Sequence, residues 1–63
     1  MKFQVKEMRD RANMTQEELA KRSGVSRQLI SMLENGRLTV TKTDTLIRLA
    51  RELDCKIQDL FLD

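Results

Sequence analysis

The 63-residue sequence has no histidine, no proline, a single cysteine (Cys55) and only two glycines, Gly24 and Gly36. Without histidine the commonest zinc ligand is missing, and one thiol cannot close a disulfide within the chain. Both absences suit a reducing, cytoplasmic setting, with no metal, no cofactor and no small-molecule ligand expected. Apolar runs reach only two or three residues, and no charged–apolar–small signal segment opens the chain. Neither a membrane span nor export is expected. A chain of this length makes one domain, residues 1–63, with one core. Such a domain buries only about 60% of the surface its unfolded form exposes, so modest stability is expected unless it pairs with a partner.

What the sequence has in quantity is charge, unevenly spread. Residues 1–37 carry eight basic side chains (Lys2, Lys6, Arg9, Arg11, Lys21, Arg22, Arg27, Arg37) against five acidic ones, a balance of +3. Residues 38–63 carry four against five, a balance of −1, which brings the whole chain to +2. A basic front and an acidic back suit a chain that turns one side to a polyanion.

Apolar residues recur at helical, not strand, spacing throughout. Val5 and Met8 mark a first helix over residues 2–12, with Asn13 and Met14 leading out. Thr15-Gln16-Glu17-Glu18 reads as a capping box, in which the Thr15 hydroxyl accepts from the Glu18 amide and the Glu18 carboxylate reaches back. Met14 and Leu19 stand at the two positions of a hydrophobic staple. Acidic residues in the first turn and Lys21-Arg22 in the last both suit the helix dipole, and Gly24 supplies the stop. The pattern repeats at once: Ser26 caps a third helix over 26–34, Val25 and Ile30 form its staple, and Asn35-Gly36 closes it. Two short helices joined by a tight glycine turn make an angled pair. A polar connection from Arg37 to Thr43 precedes a fourth helix with Leu46, Leu49, Ala50 and Leu53, capped by Thr41 or Thr43 and ended by Asp54. Ile57, Leu60 and Phe61 form a last short helical segment. The reading is all-α, five short helices around one core, with no strand.

On the third helix Ile30 and Leu33 point inward with Val25, leaving Arg27, Gln28, Ser31 and Met32 outward. Arg27 can give two hydrogen bonds to guanine O6 and N7, and Gln28 can bond adenine N7 and N6. Met32 or Leu29 can pack on a thymine methyl. Gln16, at the start of the second helix, sits where an amide and a positive helix end can hold a phosphate.

The run from Met14 to Arg37 closely resembles the phage repressor and Cro-like helix-turn-helix family of XRE-type regulators. Thr15-Gln16-Glu17-Glu18-Leu19-Ala20 at the opening, Gly24-Val25-Ser26 at the turn and Leu33-Glu34-Asn35-Gly36 at the exit carry the likeness. Leu49-Ala50-Arg51-Glu52-Leu53 and Ile57-Gln58-Asp59-Leu60-Phe61 look like the family's last two helices, so the likeness spans roughly residues 3–61. It implies a compact repressor-like DNA-binding domain whose helix-turn-helix occupies residues 15–35, extended to Arg37 for a phosphate contact. By position, Gln16 would grip phosphate or steady the neighbouring base contact. Ser26, Arg27, Gln28 and Ser31 would face base edges or the adjoining backbone, with Met32 at the groove. Asn35 and Arg37 would hold phosphates. Arg9 and Glu34 occupy positions where the family often has an ion pair. Two departures stand out: Leu29 replaces a small polar residue, and Asp54 replaces a frequent glycine, a position Asp tolerates better than most residues.

The expected function is a sequence-specific regulator of transcription that binds double-stranded DNA. It would be a repressor acting as a homodimer on a palindromic operator. The dimer would form through the C-terminal face, with Phe61 and Leu62, or only on DNA. A protein-binding module on the same fold, such as an antitoxin, is the competing class. An enzyme fails on chemistry: there is no histidine, no evident carboxylate pair in a pocket and no glycine-rich phosphate loop.

Overall fold

The computed structural model describes residues 2–38 and 41–62, without the side chains of Lys2 and Leu62. Helices form where the sequence has helical periodicity: α1 (Val5–Arg11), α2 (Gln16–Ser23), α3 (Arg27–Glu34) and α4 (Thr43–Glu52). Two features depart from the five-helix expectation. The last segment, Ile57–Leu60, is a 3-10 turn, not an α-helix. It starts where the Lys56 amide donates to Asp59 Oδ2 (3.0 Å), and it stops at Phe61, whose backbone is extended. In addition, residues 2–3 are not helical. They form β1 (Lys2–Phe3), antiparallel to β2 (Phe61–Leu62), with Lys2 opposite Leu62 and Phe3 opposite Phe61.

The ladder is tied down from both sides. The Gln4 amide donates to the Leu60 carbonyl (2.8 Å) and Gln4 Nε2 to the Phe61 carbonyl (3.1 Å). The rings of Phe3 and Phe61 pack with centroids 5.4 Å apart. Phe61, expected on a dimer face, is thus half-buried against Phe3. The side chain of its expected companion, Leu62, lies outside the described residues.

Every α-helix ends on a left-handed residue: Asn13 (φ 55°), Gly24 (75°), Gly36 (73°) and Asp54 (53°). After α1, the Asn13 amide bonds Asp10 and the Met14 amide bonds Arg9 (3.1 and 3.0 Å). After α3, Gly36 bonds Leu33 and Arg37 bonds Met32; after α4, Asp54 bonds Arg51 and Cys55 bonds Ala50. These are paired Schellman closures, which satisfy carbonyls that would otherwise face the next turn unpaired. Gly24 makes the simpler closure, a single bond to the Ala20 carbonyl at 3.0 Å. Asp54 therefore fills the left-handed site at the end of α4 without being glycine.

Starts are less uniform. Thr15 and Glu18 complete the capping box (both bonds 3.1 Å), and Ser26 Oγ accepts from the Leu29 amide (3.1 Å). Neither Thr41 nor Thr43 caps α4. Its cap position is Lys42, which has no oxygen to offer, and Thr43 is the first helical residue. Of the connection before α4, Thr39 and Val40 lie outside the described residues.

The core joins all of these elements: Val5 from α1, Leu19 from α2, Val25 from the turn, Ile30 and Leu33 from α3, Leu46, Leu49 and Ala50 from α4, then Leu53 and Leu60. Both intended staples lie here, since Leu19, Val25 and Ile30 are buried and Met14 packs against them from the edge. Among the described residues no helix is long and apolar enough to cross a membrane.

Candidate nucleic-acid interface

The site is built from the start of α2, the Gly24 turn and the solvent side of α3. Burial of Leu19, Val25, Ile30 and Leu33 fixes the angle between α2 and α3. Ser23 locks the turn. Its buried hydroxyl donates to the Leu19 carbonyl (2.6 Å) and accepts from the Val25 amide (3.1 Å). Ser23 was not singled out from the sequence, where a serine before glycine reads only as a helix end.

A shallow concavity of about 430 Å³ runs along α3. Gln16 lines it from α2, Arg27, Gln28, Ser31 and Met32 line it from α3, and Asn35 and Arg37 line it just past the helix. Sequence reasoning named all of these. Ser26 is the exception: it is exposed and serves as the cap of α3, outside the groove. Leu29 packs against the core edge, so of the two thymine-methyl candidates only Met32 is at the groove.

Several of these side chains already have partners. Arg27 Nη1 pairs with Glu17 Oε1 at 2.9 Å, both exposed (61% and 74%). Asn35 Nδ2 donates to Ser31 Oγ at 3.3 Å. Gln16 Nε2 donates to Glu34 Oε1 at 2.9 Å. Glu34 is also the partner of Arg9, as the family likeness implied. Arg9 Nε meets Oε2 at 2.9 Å and Arg9 Nη2 meets Oε1 at 3.1 Å, a two-pronged pair. Little of either side chain is exposed, 13% for Arg9 and 5% for Glu34. The hydrogen bonds that Arg9 donates to Glu34 raise the Arg9 pKa above its ordinary value, against the opposing pull of burial. Glu17 and the Glu34–Gln16 bond escaped sequence reasoning, because both link residues from different helices.

A larger concavity of about 680 Å³ lies between α1 and the 3-10 turn. Its walls set Arg11 against both Asp54 and Asp59, a net negative lining that does not suit a polyanion, and no outward residue of α3 reaches it. Cys55 is half-buried there, and burial, with Asp59 and Asp54 nearby, pushes its thiol pKa up. The smaller groove is the better interface. Its lining holds two arginines and no acidic residue, it sits on the solvent side of α3, and its amides and hydroxyl combine donors with acceptors.

Two short helices meeting through a left-handed glycine, with the second presenting a polar groove, define a helix-turn-helix domain. The chain belongs to the family described as Helix-turn-helix, which matches residues 5–60. It is also similar to two proteins of Archaeoglobus fulgidus named uncharacterized HTH-type transcriptional regulators. They are 44% and 39% identical over 62 residues, covering 98% of this chain and 86% and 87% of their own. A third such regulator, from Methanocaldococcus jannaschii, is 39% identical over 98% of this chain and 92% of its own. These relatives are named as regulators, not enzymes.

Proposed function

We propose that the chain is a sequence-specific regulator of transcription that lays α3 in the major groove of double-stranded DNA. One observation carries this reading: Gln16, Arg27, Gln28, Ser31, Met32, Asn35 and Arg37 share one groove on the solvent side of α3. The names of the relatives favour the same role. Arg27, Gln28 and Ser31 read base edges and Met32 packs on a thymine methyl. Gln16, Asn35 and Arg37 hold phosphates, and Ser26 sets the first turn of α3 against the backbone. Arg27 must leave Glu17 to reach a base, which costs little because exposed pairs are worth only about 0–1 kcal/mol.

Two copies reading the half-sites of a palindrome, about one helical turn apart, give the symmetry such pairs use. The homodimer is weak in solution or forms on DNA. Repression follows most simply, since occupying an operator excludes other proteins without any further surface. Titration of a random duplex pool at several salt concentrations tests the reading. Log affinity should fall with log salt by about 0.9 per phosphate contacted, and selection should recover a palindrome. Absence of binding at low salt overturns it.

A further inference from the structure

The Glu34 carboxylate, nine-tenths buried at the end of α3, takes its donors from two other elements. Oε2 accepts from Arg9 Nε, while Oε1 accepts from both Arg9 Nη2 and Gln16 Nε2. Arg9 is fixed in turn, because its Nη1 donates to the Met14 carbonyl at 2.8 Å. The carboxylate cannot leave Arg9 to follow Gln16 without stranding a buried charge. Gln16 is therefore held by an acceptor whose own place is set.

An ionised carboxylate only accepts hydrogen bonds, so the amide of Gln16 must turn its nitrogen toward it. The reversed amide would set oxygen against oxygen. One N–H and the carbonyl oxygen of Gln16 remain, on a side chain that lines the α3 groove. A glutamine loses much rotamer freedom when a ligand immobilises it. Here the bond to Glu34 already restricts that freedom before any ligand arrives.

We infer that Glu34 is a positioning residue for DNA docking: its bond to Gln16 presents that amide to the groove in one orientation, with one donor and one acceptor. The inference rests on the DNA-binding reading. Arg9 acts behind it, by holding Glu34.

A double-mutant cycle on the duplex recovered by selection separates this role from a purely structural one. Wild type, Glu34→Gln, Gln16→Ala and the double variant are titrated at a temperature where circular dichroism shows all four folded. Glu34→Gln keeps the shape but can donate as well as accept, so it no longer dictates the amide. If it fails to fold, Glu34→Asp takes its place, since it keeps a carboxylate on the Arg9 side of the site while drawing it back from Gln16 by one methylene. Losing a charge-assisted contact should weaken binding about tenfold in Gln16→Ala, with a smaller loss in the Glu34 variant. The double variant should be no weaker than Gln16→Ala alone. Equal losses from the Glu34 substitution in both backgrounds would mean that Glu34 acts only on the fold, and would overturn the inference. It also falls if Gln16→Ala binds as wild type. In that case a loss in Arg27→Ala would still uphold DNA binding, whereas no operator recovered at all would remove the DNA reading itself.

Discussion

Arg9 and Glu34, 25 positions apart, face each other through two N–H···O bonds of 2.9 and 3.1 Å, which fasten α1 to the end of α3. Both side chains are largely withdrawn from water, so the pair differs in kind from the exposed Arg27–Glu17 pair. Arg9→Met leaves the Glu34 carboxylate buried without its cation. Breaking such a pair costs about 3–5 kcal/mol, and in a domain this small each kcal/mol lowers Tm by roughly 4–8 °C. Thermal unfolding followed by circular dichroism should show Tm falling by more than ten degrees or so on that scale. Arg9→Met with Glu34→Leu should recover much of the loss, because two apolar residues leave no charge stranded. Equal instability of the single and double variants would show that packing, not charge, is what Arg9 contributes.

Ser23→Ala removes the hydroxyl that bonds both Leu19 and Val25. The buried Val25 amide is left without an acceptor, at a cost of about 1–3 kcal/mol. Urea unfolding should show the lower midpoint, and hydrogen exchange at Val25 should quicken more than elsewhere in α2 and α3. Uniform acceleration would mean that the turn has no local dependence on Ser23.

Glu17→Gln should barely touch stability, within about 0.5 kcal/mol, because its pair with Arg27 is exposed. DNA affinity should rise severalfold, since the variant frees Arg27 and removes a negative charge beside the groove. Fluorescence anisotropy on a labelled duplex decides the sign. A weaker complex would show that Glu17 aims Arg27 instead of occupying it.

Asp54 holds φ at 53° after α4, where a Cβ is unfavourable and glycine is not penalised. Asp54→Gly should stabilise the domain by about 0.5–1 kcal/mol by relieving the left-handed strain. Gly24→Ala should do the reverse, because its φ is 75°. Denaturant midpoints measured together should move in opposite directions.

Burial and the neighbouring Asp59 and Asp54 raise the Cys55 thiol pKa. At any pH the folded protein therefore holds less thiolate than the unfolded chain. Alkylation by iodoacetamide near neutral pH should be slower in buffer than in urea. Stability should fall as pH climbs past the ordinary thiol range, because the unfolded state then loses its proton more readily. Alkylation at the same rate in both states would rule this environment out.

The starts of α2 and α3 and the stops of all four α-helices were legible in the residues, because each depends on partners within a few positions. Thr15 reaches Glu18, Ser26 reaches Leu29, and Asn13, Gly24, Gly36 and Asp54 close onto carbonyls only a few residues back. The start of α4 was not, since Lys42 holds its cap position and neither Thr41 nor Thr43 fills it. The groove was nearly as legible, since residues 27, 28, 31 and 32 share a helix face once Ile30 and Leu33 are buried. Local chemistry misled where it had too little to work with. Two residues at the N-terminus have no periodicity to read, and only Phe61, at the far end of the chain, makes Phe3 a strand residue. Ile57 to Leu60 carried a helical spacing, but the return of Phe61 to that strand allows only a 3-10 turn.

The residues alone thus determined a helix-turn-helix from Thr15 to Arg37 and the side chains it turns outward, because short-range capping and the helical period suffice for both. Tertiary structure decided what those side chains touch before any DNA arrives: Glu34 fastened to Gln16, Glu17 lying against Arg27. Such contacts join helices through angles set by the packed core, and no spacing along the chain records an angle.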